Sequence, residues 1–330
     1  MFVSYILNSG KYSRICCFHC IVGSLNGPQF CPTSKWNHTG TTFVNADVLK
    51  ESDADLFIDN DNTIYVLTAG ENEILVWYKN NTQPKRIYEE DSSTFLSIFV
   101  SDIGEIYVSL HDPYIIKWMS NTLSFAPVTS FQGTCFCLFI DVENYLYCSM
   151  FSRHIVEKTS LDNAMEVMLV AGTGNQGSDS DKLKHPIGIF VDTNLDLYVA
   201  DYYNGRIQRF SVGNKNGETV AGKNSSDITF VLDQPHSIVL DAEKYLFISD
   251  MLVGRIIASG PNGFRCLVGC DRSSTSSHQL KYPKTFHFDI DKNMFVYDWG
   301  NRRIQKFGFQ KDSCSKYELL WVESENLIID

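Results

Sequence analysis

The feature that most constrains this chain is a motif that returns. An apolar run closed by Asp or Ser, a short polar turn and a second apolar run recur as LFIDNDNTIYV, IFVSDIGEIYV, LFIDVENYLYC, IFVDTNLDLYV, IVLDAEKYLFI and FHFDIDKNMFV. The closing residues are Asp59, Ser101, Asp141, Asp192, Asp241 and Asp289, at spacings of 42, 40, 51, 49 and 48 residues. Short apolar runs separated by Asn, Asp and Gly read as antiparallel strands joined by tight turns. One three-stranded meander, such as His185 to Phe210, cannot bury both its faces, so it requires copies beside it.

Units of this size fit a radial array of four-stranded sheets. The expectation is an all-β chain: a six-bladed β-propeller of four-stranded antiparallel blades, closed by an N-terminal strand that completes the last blade. The closure follows from an internal match. KWNHTGTTFVNADVLKESDADLFID overlays GNKNGETVAGKNSSDITFVLDQPHSIVLD, so Thr42 to Asn45 take the place that Thr219 to Gly222 hold later as an outer strand. With no earlier unit to join, that strand must pair with the last one, beside Ile304 to Phe307, leaving no open edge.

Residues 31–314 therefore form one propeller domain. Residues 1–30 read as a leader or disordered tail: Lys11 and Arg14 precede an apolar run, Ile15 to Val22, with Gly23 and Ser24 after it, the order of a weak signal peptide. Residues 315–330 read as a C-terminal tail. No run is long enough to span a bilayer. The net charge of −11 opposes a polyanionic partner, because phosphate contacts need clustered Lys and Arg.

PIGIFVDTNLDLYVADYYNGRIQRF, PHSIVLDAEKYLFISDMLVGRIIAS and PKTFHFDIDKNMFVYDWGNRRIQKF resemble NHL repeats, with their Pro, apolar run with Asp, second Asp, turn Asn and Arg. The resemblance covers about residues 36 to 310. It is strong in the last three units and weak in the first three, where Thr68, Leu110 and Met150 replace the second Asp and Glu73, Ile115 and Ile155 replace the Arg. It implies a six-bladed propeller of a family made mostly of binding proteins, with a minority of enzymes.

Asp201 with Arg206, Asp250 with Arg255 and Asp298 with Arg303 stand five apart across the turn between second and third strands. Recurrence once per unit marks a scaffold device, whereas a catalytic set would be unique. The same turns and the long connections between units share one face. That face collects Tyr114, Arg153, Tyr202, Tyr203 and Trp299, residue types enriched at binding hot spots; the alternative is that Tyr202, Phe151 and Trp299 only pack between blades. Connections near 172–185, 222–234 and 269–282 are the longest, so specificity is sought above the last three units.

A metal is not expected. His185, His236 and His287 lie seven, five and two residues before the strand-closing Asp, so they do not point to one axis. Leu56, Ile98, Leu138, Ile189, Ile238 and Phe286 are read as facing the axis, which predicts a packed or dry channel. Cys31 with Cys314, Cys135 with Cys148 and Cys266 with Cys270 are the candidate disulfides, with Cys137 left over as a small buried residue. Asn37, Asn80 and Asn224 head glycosylation sequons. These features favour a secreted or extracellular protein, the alternative being a reduced cytoplasmic one.

Two functions follow. The first is a non-catalytic recognition module for a protein, peptide or glycan, needing no cofactor, with no nucleic acid as partner. The alternative is a propeller enzyme, a lyase or lactone hydrolase, with a channel metal. An RNA-binding reading would need a basic rim that the acidic total does not supply.

Overall fold

The protein is described by a computed structural model over residues 28–50, 53–88, 94–163, 166–225, 230–271 and 279–314. The leader's Cys16, Cys17 and Cys20 and the tail 315–330 lie outside the described residues.

Six four-stranded antiparallel sheets form the six blades of the ring. With strands lettered a to d, blade 1 holds Ala54–Ile58, Ile64–Thr68, Glu73–Trp77 and Lys85–Tyr88, and blade 2 Phe95–Val100, Ile106–Leu110, Tyr114–Met119 and Ser124–Ser130. Blade 3 holds Cys137–Ile140, Tyr145–Met150, Ile155–Ser160 and Val167–Ala171, and blade 4 Pro186–Val191, Leu197–Asp201, Arg206–Phe210 and Glu218–Gly222. Blade 5 follows with Pro235–Leu240, Leu246–Asp250, Arg255–Ala258 and Arg265–Val268. Blade 6 takes strands a to c from Pro283–Phe288, Met294–Asp298 and Arg303–Phe307, and strand d from Thr41–Val44.

That last pairing closes the ring. Thr41 stands opposite Lys306, Thr42 opposite Gln305 and Val44 opposite Ile304. A one-turn helix, Ala46–Leu49, buries Leu49 and carries the chain into blade 1. Cys31 and Cys314 are at disulfide distance beside the hydrogen bonds of the seam, with Cα atoms 5.7 Å apart. Phe30 and Trp36 cover it, packing on Phe247, Phe288 and Phe309.

The residue closing each strand a explains why the motif recurs. Asp141 Oδ1 accepts the amides of Glu143 and Tyr145 at 2.9 Å, Asp192 Oδ1 those of Asn194 and Asp196, and Asp241 Oδ1 those of Glu243 and Tyr245. Ser101 Oγ takes the amide of Glu105 in the same way. Each side chain satisfies backbone donors that a tight turn leaves unpaired. Between blades the core falls into a large cluster spanning blades 3 to 6 and smaller ones joining blade 6 to blade 1 and blade 1 to blade 2, because inner strands are covered on both faces and carry apolar residues in succession.

Candidate recognition face and axial channel

The turns between strands b and c gather on one face with the d-to-a connections, and in blades 4 to 6 a shared device ties the two. Asp201 Oδ2 accepts Arg206 Nε at 2.7 Å and Asn204 Nδ2 at 2.7 Å, while Oδ1 accepts the Lys184 amide. Arg206 then donates to the carbonyls of Ser178, Asp179 and Lys182 in the incoming loop. Asp250 repeats this with Arg255 and the Asp233 amide, and Asp298 with Arg303, Asn301 and the Lys281 amide. All three carboxylates are fully buried. Burial raises Asp201 and Asp250 above the ordinary carboxyl range, opposed by these hydrogen bonds and by the arginines.

After the lock the chain must reverse, and a left-handed residue does it. Asn72, His154, Gly205, Gly254 and Arg302 all have positive φ at the end of their b–c turn. The next blade-edge residue is constrained in turn: a Cβ on Gly222, at φ +85°, would lie 2.3 Å from the Gly205 carbonyl oxygen.

On this frame sits a belt of rings. Phe151 stacks on His185 at 4.3 Å between centroids, His185 meets Tyr203 at 4.8 Å and His154 at 4.5 Å, and Tyr203 meets Tyr202 at 4.9 Å. The His185 amide donates to His154 Nδ1 at 3.2 Å, so that nitrogen is an acceptor. Burial, and then His154, lower the His185 pKa. Trp299 joins Tyr282 at 6.0 Å and carries the Lys284 ammonium over its ring at 4.5 Å.

The five residues singled out in the sequence fall into different roles. Tyr203 and Trp299 are 48 % and 41 % exposed, and Leu252 lies on the same face at 42 %. Tyr202 is buried and bridges blades 4 and 5, its hydroxyl donating to Gln234 Oε1 at 2.6 Å and lying against Met251. Arg153 pairs with Glu157 at 3.4 Å. Tyr114 is 51 % exposed at the start of its strand, and no ring contact among the described residues joins it to the belt. Tyr282 has no signal in the sequence, whereas His154 belongs to the run Phe151 to His154 that the sequence places on this face. His154 occupies the turn position held by Gly205 one blade on, and that substitution was its visible signal.

The axis is open rather than packed. Leu56, Ile98, Leu138, Ile189 and Ile238 line the axial cavity together with the residues on either side of them, and Phe286 is buried beside it. One ring consists of Asp55, Ser97, Cys137, Gly188, Ser237 and Thr285; a second consists of Phe57, Phe99, Phe139, Phe190, Val239 and His287. Together they surround a cavity of about 550 Å³ that opens between the a–b turns. Sequence alternation does not rank these residues, because the strands are shielded on both faces and bulges shift the register in blades 2, 4, 5 and 6. His185, His236 and His287 accordingly sit apart, on the belt, in the interior and in the axial sleeve. Among the described residues no group of three or more His, Cys, Asp or Glu is placed to hold a metal ion.

Cys135 with Cys148 and Cys266 with Cys270 also stand at disulfide distance, with Cα separations of 5.3 and 5.8 Å, and Cys137 is free. Asn37, Asn80 and Asn224 are exposed.

Fold and face together define a six-bladed propeller with an aromatic turn surface. A family model for the NHL repeat matches residues 183–210, one full a-to-c meander with its lock. The chain is a six-bladed propeller in which one meander matches the NHL repeat. No curated protein matches it. Among solved structures it is similar to an auxiliary nutrient binding protein from Bacteroides thetaiotaomicron, at 14 % identity and TM-score 0.63 over 87 % of this chain and 76 % of that one. It is similar to virginiamycin B lyase from Staphylococcus aureus, at 14 % identity and TM-score 0.55 over 78 % and 81 %. A chain of the nidogen/laminin complex matches at 16 % identity and TM-score 0.52 over 78 % and 94 %. At these identities the likeness is one of fold.

Proposed function

We propose that the protein is a recognition module without chemistry of its own, holding a protein, peptide or glycan on the b–c turn face of blades 3 to 6. The observation that carries this reading is the placement of Tyr203, Trp299 and Leu252, exposed on turns that the buried Asp–Arg locks hold rigid. Large amphipathic rings on a pre-ordered support cost little entropy on binding. The nidogen/laminin likeness supports a binding role for such a ring, and three cysteine pairs at bonding distance support an oxidising, extracellular setting. No helix among the described residues is long and apolar enough to cross a membrane. Glycans on Asn37, Asn80 and Asn224 belong to the same reading. The lyase likeness is the ground for the competing enzyme reading.

The test is a selection on the oxidised full chain with a random peptide display library and, in parallel, a glycan array. Ligands recovered on the native protein are expected to bind the Y203A/W299A variant at least tenfold more weakly. Ligands that bind both proteins equally would remove this face from the account.

A further inference from the structure

The axial cavity opens at the end of the ring opposite the recognition face, and its lining has one sign of charge. Asp55, Asp59, Asp61, Asp102 and Asp289 line it, with no Lys or Arg among the lining residues. Asp59 is occupied by its own turn, accepting the amides of Asp61 and Thr63 and the Tyr65 hydroxyl. Asp289 has Lys306 at 3.6 Å. Asp61 and Asp102 are exposed at the mouth, where Asp102 Oδ1 accepts the Asn60 side-chain amide at 3.3 Å, and Asp55 stands at the inner ring. Asp55 is oriented there by the protein: Oδ2 accepts the Ser97 hydroxyl at 2.9 Å and the Ile98 amide at 3.0 Å, Oδ1 accepts the Leu56 amide at 2.9 Å, and the Thr285 hydroxyl bonds to the same carboxyl. Between mouth and inner ring stand the stacked rings of Phe57, Phe99, Phe139 and Phe190, with centroids 5.0 to 5.3 Å apart, and His287 closes the circle 5.0 Å from Phe57.

We propose that this channel binds a small organic cation, an ammonium group on an elongated apolar body, with the ammonium beside Asp55 and the body in the phenylalanine sleeve. Charge complementarity selects the sign, since an enclosed carboxylate attracts a cation far more strongly than one in water does. Aromatic faces tolerate a cation in transit and favour an apolar body at rest. Length follows from the strand: Asp55 and Asp59 are four residues apart, roughly 13 Å at about 3.3 Å per residue. Burial raises the Asp55 carboxyl above its ordinary range, and a bound ammonium would draw it back toward ionisation.

Titration calorimetry of the oxidised full chain with 4-phenylbutan-1-amine, 4-phenylbutan-1-ol and 5-phenylpentanoate tests this with three bodies of similar length and different charge. The amine is expected to bind at least tenfold more tightly than the alcohol, and the carboxylate not to bind. Asp55→Asn is expected to bring the amine to the level of the alcohol. Because Asp55 also holds the inner ring, a second variant at the exposed mouth, D61N/D102N, is measured too, with a two- to fivefold loss expected for the amine alone. Equal binding of the three probes, no binding of the amine, or an amine affinity unchanged in D61N/D102N would overturn the proposal.

Discussion

Blades 4 to 6 and blades 1 to 3 have the same strand order but hold their turns by different means. In the later half, Asp201, Asp250 and Asp298 each bury a carboxylate against an arginine and an incoming loop amide. In the earlier half the equivalent positions are Thr68, Leu110 and Met150, and the b–c turn of blade 1 is supported by Lys50 with Glu71, an exposed pair at 2.7 Å. A buried, fully bonded pair fixes a loop; an exposed pair is screened and adds little. The long connections, the locks and the exposed Tyr203 and Trp299 thus coincide in one half of the ring. Rigidity there is what lets large rings stand in solvent without collapsing onto the scaffold.

The largest effect should come from separating the halves. A Cys31–Cys314 disulfide would close a loop of sequence separation 283, for which the loop-entropy model gives about 5.6 kcal/mol. A C31S/C314S variant is expected to unfold in two steps in a denaturant titration, with blades 1 to 3 released first. A single transition at an unchanged midpoint would show that the strand pairing of Thr41–Val44 suffices alone.

Next in size is the contrast between the two kinds of ion pair. Arg206→Met leaves Asp201 buried without its partner and should cost about 3–5 kcal/mol, whereas Lys50→Met should cost less than about 1 kcal/mol. Chemical denaturation of both variants measures the difference, and comparable losses would erase the distinction between the halves.

Acid sensitivity is smaller and has a defined sign. Burial lowers His287 from 6.5 to about 4 and His236 to about 3, with Lys284 adding to the latter. Both are neutral in the folded state while the unfolded chain takes up protons below pH 6.5. Their contribution is constant above pH 6.5 and is lost as the pH falls from 6.5 through their folded values. Asp241 acts in the opposite direction: burial raises it from 3.8 to about 6, so at that site stability falls as the pH rises from 3.8 through 6. His287→Phe is expected to flatten thermal stability between pH 6.5 and 4, on the order of 2 kcal/mol, while adding a ring to the sleeve. Y203A/W299A should cost about 1 kcal/mol, since each half-exposed ring gives up aromatic contacts at the edge of the scaffold.

The sequence revealed the architecture because the repeat is marked by polar residues with backbone duties. Asp141, Asp192 and Asp241 recur since each caps a turn, and the five-residue spacing of Asp201 and Arg206 recurs since it matches one b–c turn. The closing strand was legible from one internal match, and its register across from Ile304 to Lys306 agrees with it. The open channel was not legible because Leu56 and Phe57 are both apolar, so hydropathy carries no information about how much room they leave at the axis. A sign was present: Phe57, Phe99, Phe139 and Phe190 all stand two residues before the strand-closing position, and an aromatic repeated around a ring must meet its copies. The belt was only half legible, since exposure separates Tyr203 from Tyr202 and adjacent tyrosines look alike in a sequence.

The most direct test of the recognition reading is amide hydrogen exchange on the full chain, alone and saturated with the tightest ligand from the peptide or glycan selection. The account predicts slowed exchange at residues 151–154, 202–205, 251–254 and 299–302, with residues 60–61 and 102–104 at the other end of the ring unchanged. Slowing confined to those latter turns, or centred on blades 1 and 2, would contradict it.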